Sequence, residues 1–313
     1  MAKLETRPLG NSGLLTSIVG LGCNNFGRRL DVDGTRAVVD AAIDDGVTFF
    51  DTADIYGRGA SEEYLGEVLQ GRRDEVVLAT KFGMDMGDGK GPRGGQAYIV
   101  EAIDASLRRL RTDVIDFYWY HQPDGVTPIA DTLEALHGLV QAGKVRAVGA
   151  SNFDAGQLEE ADAVAREHGF TPFTAVQNEY SLLVRDAEDE VLPACERLGI
   201  GFVPFFPLAS GLLTGKYRPG EPGPAGARLS GRDQVASRDQ FTLLAALQRY
   251  ADERHVSLAD VAIGALLAQP AVSSVIAGAT KPDQVHANAA AARWTPDADD
   301  LAALAGILQA NPV

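Results

Sequence analysis

The 313 residues, 45% hydrophobic and 23% charged, supply enough apolar material for a large buried core and argue against intrinsic disorder. A formal net charge of -15 disfavours nucleic acids and anionic membranes as partners, because binding phosphate surfaces requires clustered Lys and Arg. Cys23 and Cys195 lie far apart with no companion motif, so neither a disulfide framework nor a metal centre is expected. No stretch approaches the roughly 18 apolar residues of a membrane span, and the opening MAKLETRPLGNSG lacks a signal-peptide core; a cytoplasmic location is expected.

In chain order, residues 4–9 and 14–19 flank Gly10-Asn11-Ser12-Gly13 and predict a short hairpin. Short β-rich runs then alternate with helical periodicity. Strands are expected at 18–21, 47–51, 76–81, 114–120, 145–149, 175–178, 201–205 and 274–277. Helices are expected at 34–45, 61–69, 97–109, 129–141, 155–167, 188–198 and 258–268, with another beginning at 283–288 and a C-terminal one at 299–309. Ser61 is placed as a helix cap, and Gly46, Gly143 and Gly199 as left-handed residues after helix ends. Eight strand-helix units with strands apolar on both faces suit an α/β fold of the (β/α)8 TIM-barrel type, with an N-terminal β-hairpin and extra C-terminal helices, as a single domain over 1–313. An open doubly wound sheet is the competitor, but its GxGxxG signature is missing after the first strand. Residues 84–96 and 206–238 are long, Gly/Pro-rich and follow strands, where the loops of a barrel build an active site.

Ionisable residues end three of the apolar runs: Asp51 closes FFD, Lys81 closes VVLATK and His121 follows VIDFYWY, with Tyr56 one short loop beyond Asp51. In a barrel all four meet at one mouth. A carbonyl receiving a hydride needs a proton donor, and tyrosine with its pKa of about 10 needs help near neutral pH. Lys81 would lower the Tyr56 pKa, Asp51 would hold Lys81, and His121 could hydrogen-bond the carbonyl oxygen.

FFDTADIYG, ATKFG and DFYWYHQPD resemble the catalytic segments of the aldo-keto reductases. The resemblance continues through VGASNF, VQNEYSLL, FFPLASGLLTGKY and VIAGATKPDQVHANAAA, and has features of the potassium-channel β-subunit-like branch. It implies reduction of an aldehyde or ketone with NADPH, NADH being possible, and with Tyr56 as the acid tuned by Asp51 and Lys81 while His121 orients the substrate. It places Ser151, Asn152 and Gln177 at the nicotinamide carboxamide and Phe205 against the ring. Cys23, Asn24, Asp51, Pro207, Leu208, Gly211, Lys216 and Arg228 join the cofactor set, with Gly278, Thr280, Gln284 and Asn288 toward the adenine end. Phe206 stands where many relatives carry Ser, which removes one polar contact. Substrate-lining candidates are Phe26, Tyr118, Trp119, Phe153 and the 84–96 loop. The partner expected is a small carbonyl compound, with monomer or homo-oligomer left open. The alternative is an NADP-loaded binding or regulatory module of the channel β-subunit type with little turnover.

Overall fold

A computed structural model describes residues 4–232 and 234–313. Strands β1 (Thr6–Pro8) and β2 (Leu15–Ser17) pair as the antiparallel N-terminal hairpin. The remaining strands form one eight-stranded parallel sheet: β3 (Val19–Gly22), β4 (Phe49–Asp51), β5 (Val77–Phe82), β6 (Ile115–Tyr120), β7 (Val145–Ser151), β8 (Ala175–Gln177), β9 (Gly201–Phe202) and β10 (Val275–Gly278). Their order runs β10-β3-β4-β5-β6-β7-β8-β9. The two ends meet, because Phe202 N–H donates to Ala271, Ser273 N–H to Phe202 and Ile276 N–H to Pro204 across that seam. The sheet is thereby curled into the expected (β/α)8 barrel.

Helices α1 (Val32–Asp44), α2 (Ala60–Val68), α3 (Gln96–Leu110), α4 (Ile129–Gln141), α5 (Ala155–His168) and α6 (Val191–Leu198) cover the first six strands in turn. Next come α7 (Arg238–Glu253), α8 (Leu258–Leu267), α9 (Pro282–Ala291) and α10 (Ala298–Ala310). The left-handed glycines fall as expected, with φ of 82° at Gly46, 70° at Gly143 and 67° at Gly199. Two expectations need correction. Ser61 is not a cap: α2 begins one residue earlier, after left-handed Gly59, and the Ser61 hydroxyl instead bonds Thr52 Oγ1 at 2.8 Å and Cys23 O at 3.0 Å. The stretch 206–238 ends in a helix absent from the sequence reading, α7, whose start is secured by a capping box between Ser237 and Gln240.

Each barrel strand sends alternate side chains to opposite faces. Phe49, Ala79, Phe117, Trp119, Ala147, Ala175, Val203 and Ile276 form the inner cluster, and Leu9 from the hairpin plugs it from below. The outer faces pack on the helices in a larger cluster that contains Tyr118, Val148 and Val176. Tyr118 is therefore barrel wall rather than substrate lining, and Phe26, Trp119 and Phe153 are buried to 2% exposure or less.

The interior leaves no slack at Gly149, where a Cβ would fall 2.6 Å from Ala175 O, 2.6 Å from a Phe117 ring carbon and 2.7 Å from Trp119. Gly149→Ala is expected to destabilise the protein by about 1–3 kcal/mol through overpacking. Urea unfolding measures this, and a variant as stable as the wild type would show that the barrel relaxes around the methyl group.

Candidate active site

The same alternation that fills the barrel builds its mouth. Asp51, Lys81, His121 and Gln177 each lie two residues beyond an inward-facing member of the apolar cluster, namely Phe49, Ala79, Trp119 and Ala175. Phe205 and Gly278 extend the inward rows from Val203 and Ile276 in the same way, and Ser151 extends that of Ala147 through Gly149. A single polar layer thus caps the hydrophobic plug at the carboxyl ends of the strands, the face where barrel loops gather.

At its centre the Lys81 ammonium pairs with Asp51 Oδ2, both side chains at 3% exposure or less. Lys81 Nζ also donates to Thr52 O at 3.0 Å, and Gln177 Nε2 donates to Asp51 Oδ1 at 3.1 Å. Tyr56 is carried over this pair by a tight turn, Tyr56–Gly59, in which Gly57 and Arg58 are left-handed. Gly57 is required there, because any Cβ would sit 3.1 Å from Gly27 O in addition to the unfavourable φ of 59°. Lys81 Nζ lies 5.2 Å from the centre of the Tyr56 ring, and the His121 ring stands edge-on to Tyr56 with centroids 6.1 Å apart. All four ionisable residues predicted at the mouth are brought together.

Their protonation states follow from burial and neighbours. Burial acts to lower the Lys81 pKa, but Asp51 and Tyr56 outweigh it and the net shift is upward, so the ammonium persists. For Tyr56 burial raises the pKa and Lys81 pulls it down. Burial prevails, so the net shift is upward and not downward as expected from Lys81 alone. The phenol consequently remains protonated through the neutral range. Burial and then Lys81 push His121 down to about 3, which leaves a neutral imidazole whose buried Nδ1 has no hydrogen-bond partner among the described residues.

Beside this cluster, Asn152 adopts a left-handed φ of 59° and its amide donates to His121 O at 2.9 Å. Ser151 is buried against it, with its hydroxyl 3.2 Å from the same amide. Asn24 keeps a buried Oδ1 without a partner among the described residues, facing Gly278 at the next strand end. Cys23 is fully buried and its thiol donates to Leu21 O at 3.4 Å, with burial pushing its pKa well up. After Phe205 the chain turns through left-handed Phe206, Ala209, Ser210 and Gly211, and three of these four are non-glycine residues in a conformation that costs energy. Phe205 and Phe206 meet edge to face at 5.2 Å, while Pro207 is buried and Leu208 half-buried beside them. Within this segment the Ala209 N–H donates to Phe206 O at 2.8 Å and the Gly211 N–H to Leu208 O at 2.8 Å, which holds the bend.

Around this bend stands a basic rim. The Arg228 guanidinium lies 4.6 Å over the Phe206 ring, and a Cβ on Gly211 would fall 2.7 Å from Lys216 Nζ. Arg29 reaches across from the loop after β3 to Gly226 O at 2.5 Å. Burial and then Arg28 and Arg29 lower the Arg228 pKa, and burial followed by Arg29 and Lys281 lowers that of Lys216, so these cations crowd one another. Among the described residues none of the five has a carboxylate partner within 4.0 Å, in a chain otherwise rich in acids. Toward the far end, Gln284 Oε1 accepts from Thr280 N at 2.7 Å and from its hydroxyl at 3.1 Å, and Asn288 is buried nearby on α9. Arg28 and Arg29 were missed from sequence; the available signal was a pair of arginines directly after Phe26-Gly27 in an acidic chain.

Removing Lys81 would strand a buried carboxylate. Lys81→Met is expected to cost about 3–5 kcal/mol of folding stability, and adding Asp51→Asn to recover part of it. Guanidinium unfolding of the single and double variants measures this. A single variant as stable as the wild type would mean that Asp51 is not held as a charge.

Comparison with known proteins agrees with this architecture. The model of the Aldo/keto reductase family matches residues 18–309. A probable voltage-gated potassium channel subunit beta from Oryza sativa subsp. japonica is 36% identical over 91% of this chain and 90% of its own length. The aldo-keto reductase YhdN of Bacillus subtilis (strain 168) is 34% identical over 98% of this chain and 94% of its own. YrpG of the same organism, an uncharacterized oxidoreductase, is 37% identical over 90% and 89% respectively. The protein belongs to the aldo/keto reductase family, and with it to the oxidoreductases that act on carbonyl compounds.

Proposed function

We propose that the protein reduces an aldehyde or ketone to an alcohol with NADPH, with Tyr56 as the general acid. The observation that carries this is the Tyr56 ring set over the buried Lys81–Asp51 pair, with the His121 ring against its edge, at the carboxyl ends of the barrel strands. NADPH would supply the hydride. The Asn24 oxygen, without a hydrogen-bond partner among the described residues, the basic rim, without a carboxylate partner among them, and the left-handed residues Phe206, Ala209, Ser210 and Gly211 are the features that fit it.

In this account Ser151, Asn152 and Gln177 fix the nicotinamide through their hydroxyl and amide groups, and Phe205 packs on its ring. Gly211, Lys216 and Arg228 meet the phosphates, joined by Arg28, Arg29 and Lys281. Gly278, Thr280, Gln284 and Asn288 hold the adenosine end. The cation count favours a dinucleotide carrying an additional phosphate, which is why NADPH is preferred to NADH. His121 donates a hydrogen bond to the carbonyl oxygen as negative charge builds on it. Tyr56 then gives its proton to that oxygen, and Lys81 stabilises the phenolate left behind.

Similarity to the plant channel subunits supports a second reading, in which the chain holds NADP and works through a partner with little turnover. A panel of simple aldehydes, ketones and sugars with NADPH and NADH separates the two. Turnover is expected with NADPH, and Tyr56→Phe is expected to lower it by about 10²–10⁴-fold while NADPH still binds. Tight NADPH binding with no turnover across the panel would favour the second reading, and an undiminished Tyr56→Phe would remove the tyrosine from the chemistry.

A further inference from the structure

Across the barrel wall from Lys81 lies a second polar cluster that takes no part in the chemistry above. Thr80 and Tyr118 point into it from β5 and β6, Glu62 from α2, and Tyr98 and Arg109 from α3. Arg93 enters from the loop after β5, and Asp54 from the segment joining Asp51 to Tyr56. Asp54, Glu62, Thr80, Arg93 and Tyr118 are all at 6% exposure or less. Glu62 is fully engaged, accepting from Thr80 Oγ1 at 2.6 Å, Arg109 Nε at 2.7 Å and Arg109 Nη2 at 2.6 Å. Arg93 reaches Asp85 at 2.9 Å and Asp88 at 2.7 Å and stacks on Tyr98 at 4.7 Å. Three buried atoms remain without a hydrogen-bond partner among the described residues: Asp54 Oδ1, the Tyr118 hydroxyl and Arg93 Nη1.

Arg109 is committed to Glu62 and Arg93 to Asp85 and Asp88 through Nη2 alone, and Asp54 is a second buried carboxyl in the cluster of Glu62. Burial, followed by the Glu62 charge, holds its pKa up at about 7, against the opposing pull of Arg109, the Ile55 N–H and Arg93. A neutral carboxylic acid is both donor and acceptor and costs less to bury than a carboxylate. A carboxylate there would be repelled by Glu62 with no cation within 4.0 Å among the described residues, only the more distant pull of Arg109 and Arg93. Asp54 is also coupled to the mouth through the backbone, since its N–H donates to Lys81 O at 3.1 Å and the Tyr56 N–H donates to Ala53 O at 3.1 Å.

We propose that Asp54 is a positioning residue for Tyr56: as a buried neutral acid tied through its N–H to Lys81 O it holds the turn that carries Tyr56 over Lys81, and on ionisation it is repelled by Glu62 and moves that turn. The activity readout rests on the reductase reading; two further readouts do not. Asp54→Asn keeps the shape and removes the ionisation.

Single-turnover NADPH oxidation at saturating cofactor is expected to slow by about tenfold as pH rises through neutrality in the wild type, within the range for a small misplacement of reacting groups. Asp54→Asn is expected to lose that step. The ¹³Cζ resonance of Tyr56, assigned with Tyr56→Phe, should move through the same pH interval in the wild type and stay still in Asp54→Asn. Stability reads the proton itself. With the unfolded aspartate ionising near about 4 and the folded one near about 7, wild-type Tm should fall across that interval relative to Asp54→Asn and level off above it. Superimposable Tm curves would overturn the neutral state of Asp54. A Tm difference with an unmoved Tyr56 resonance would overturn the positioning role whether or not the protein turns over. A wild type that shows the resonance step yet reduces no carbonyl would support the positioning role and contradict the reductase reading alone.

Discussion

The buried ion pair between Lys81 and Asp51 is the constraint around which the mouth of this barrel is organised. Two charges at 3% exposure or less carry a desolvation cost of several kcal/mol each, recovered only with close pairing and further hydrogen bonds. The surroundings meet that requirement: Thr52 O takes a second ammonium proton and Gln177 occupies the other Asp51 oxygen. The pair is therefore fixed in position before any ligand arrives. Its net neutrality matters as well, because the positive end is turned toward Tyr56 while the negative end faces inward to Gln177.

A barrel is well suited to supporting such a pair. The inward rows are apolar below Asp51, Lys81, His121 and Gln177, so the polar layer rests on an apolar plug made by Phe49, Ala79, Phe117, Trp119 and their neighbours. Low polarity beneath the pair strengthens its attraction and also explains why burial, and not Lys81, governs the net state of Tyr56. A phenol that stays protonated at neutral pH is a competent donor to an alkoxide, which is far more basic. In the proposed reduction Lys81 contributes most at the moment the phenolate forms.

Much of this was legible in the sequence, and the parts that were not share a physical reason. Asp51, Lys81 and His121 were visible because each ends or follows an apolar strand, and a polar group there has to face the mouth. The alternation of strands and helices likewise exposed the barrel. Helix α7 was overlooked because the Gly/Pro-rich stretch before it was carried past the cap at Ser237, although Phe241, Leu243, Leu244 and Leu247 repeat at helical spacing. Ser61 looked like a cap from its type alone, whereas its hydroxyl is used to join Thr52 and Cys23 across the strand ends. The basic rim and the Asp54 cluster are tertiary: Arg29 meets Gly226 from 197 residues away and Arg109 meets Glu62 from 47, and no local periodicity encodes either. The balance of burial against charge at Tyr56 is also beyond a linear pattern, since it depends on how much solvent the fold excludes.

The central claim is that Lys81 acts on the proton of Tyr56 and not on cofactor binding. The pH dependence of single-turnover carbonyl reduction in Lys81→Met, with NADPH affinity measured in parallel, tests it most directly. The account predicts a slower reaction whose alkaline limb is displaced to higher pH, at nearly unchanged NADPH affinity, because the phenol loses the cation that favours its ionised form. A variant that keeps the wild-type pH profile would contradict it.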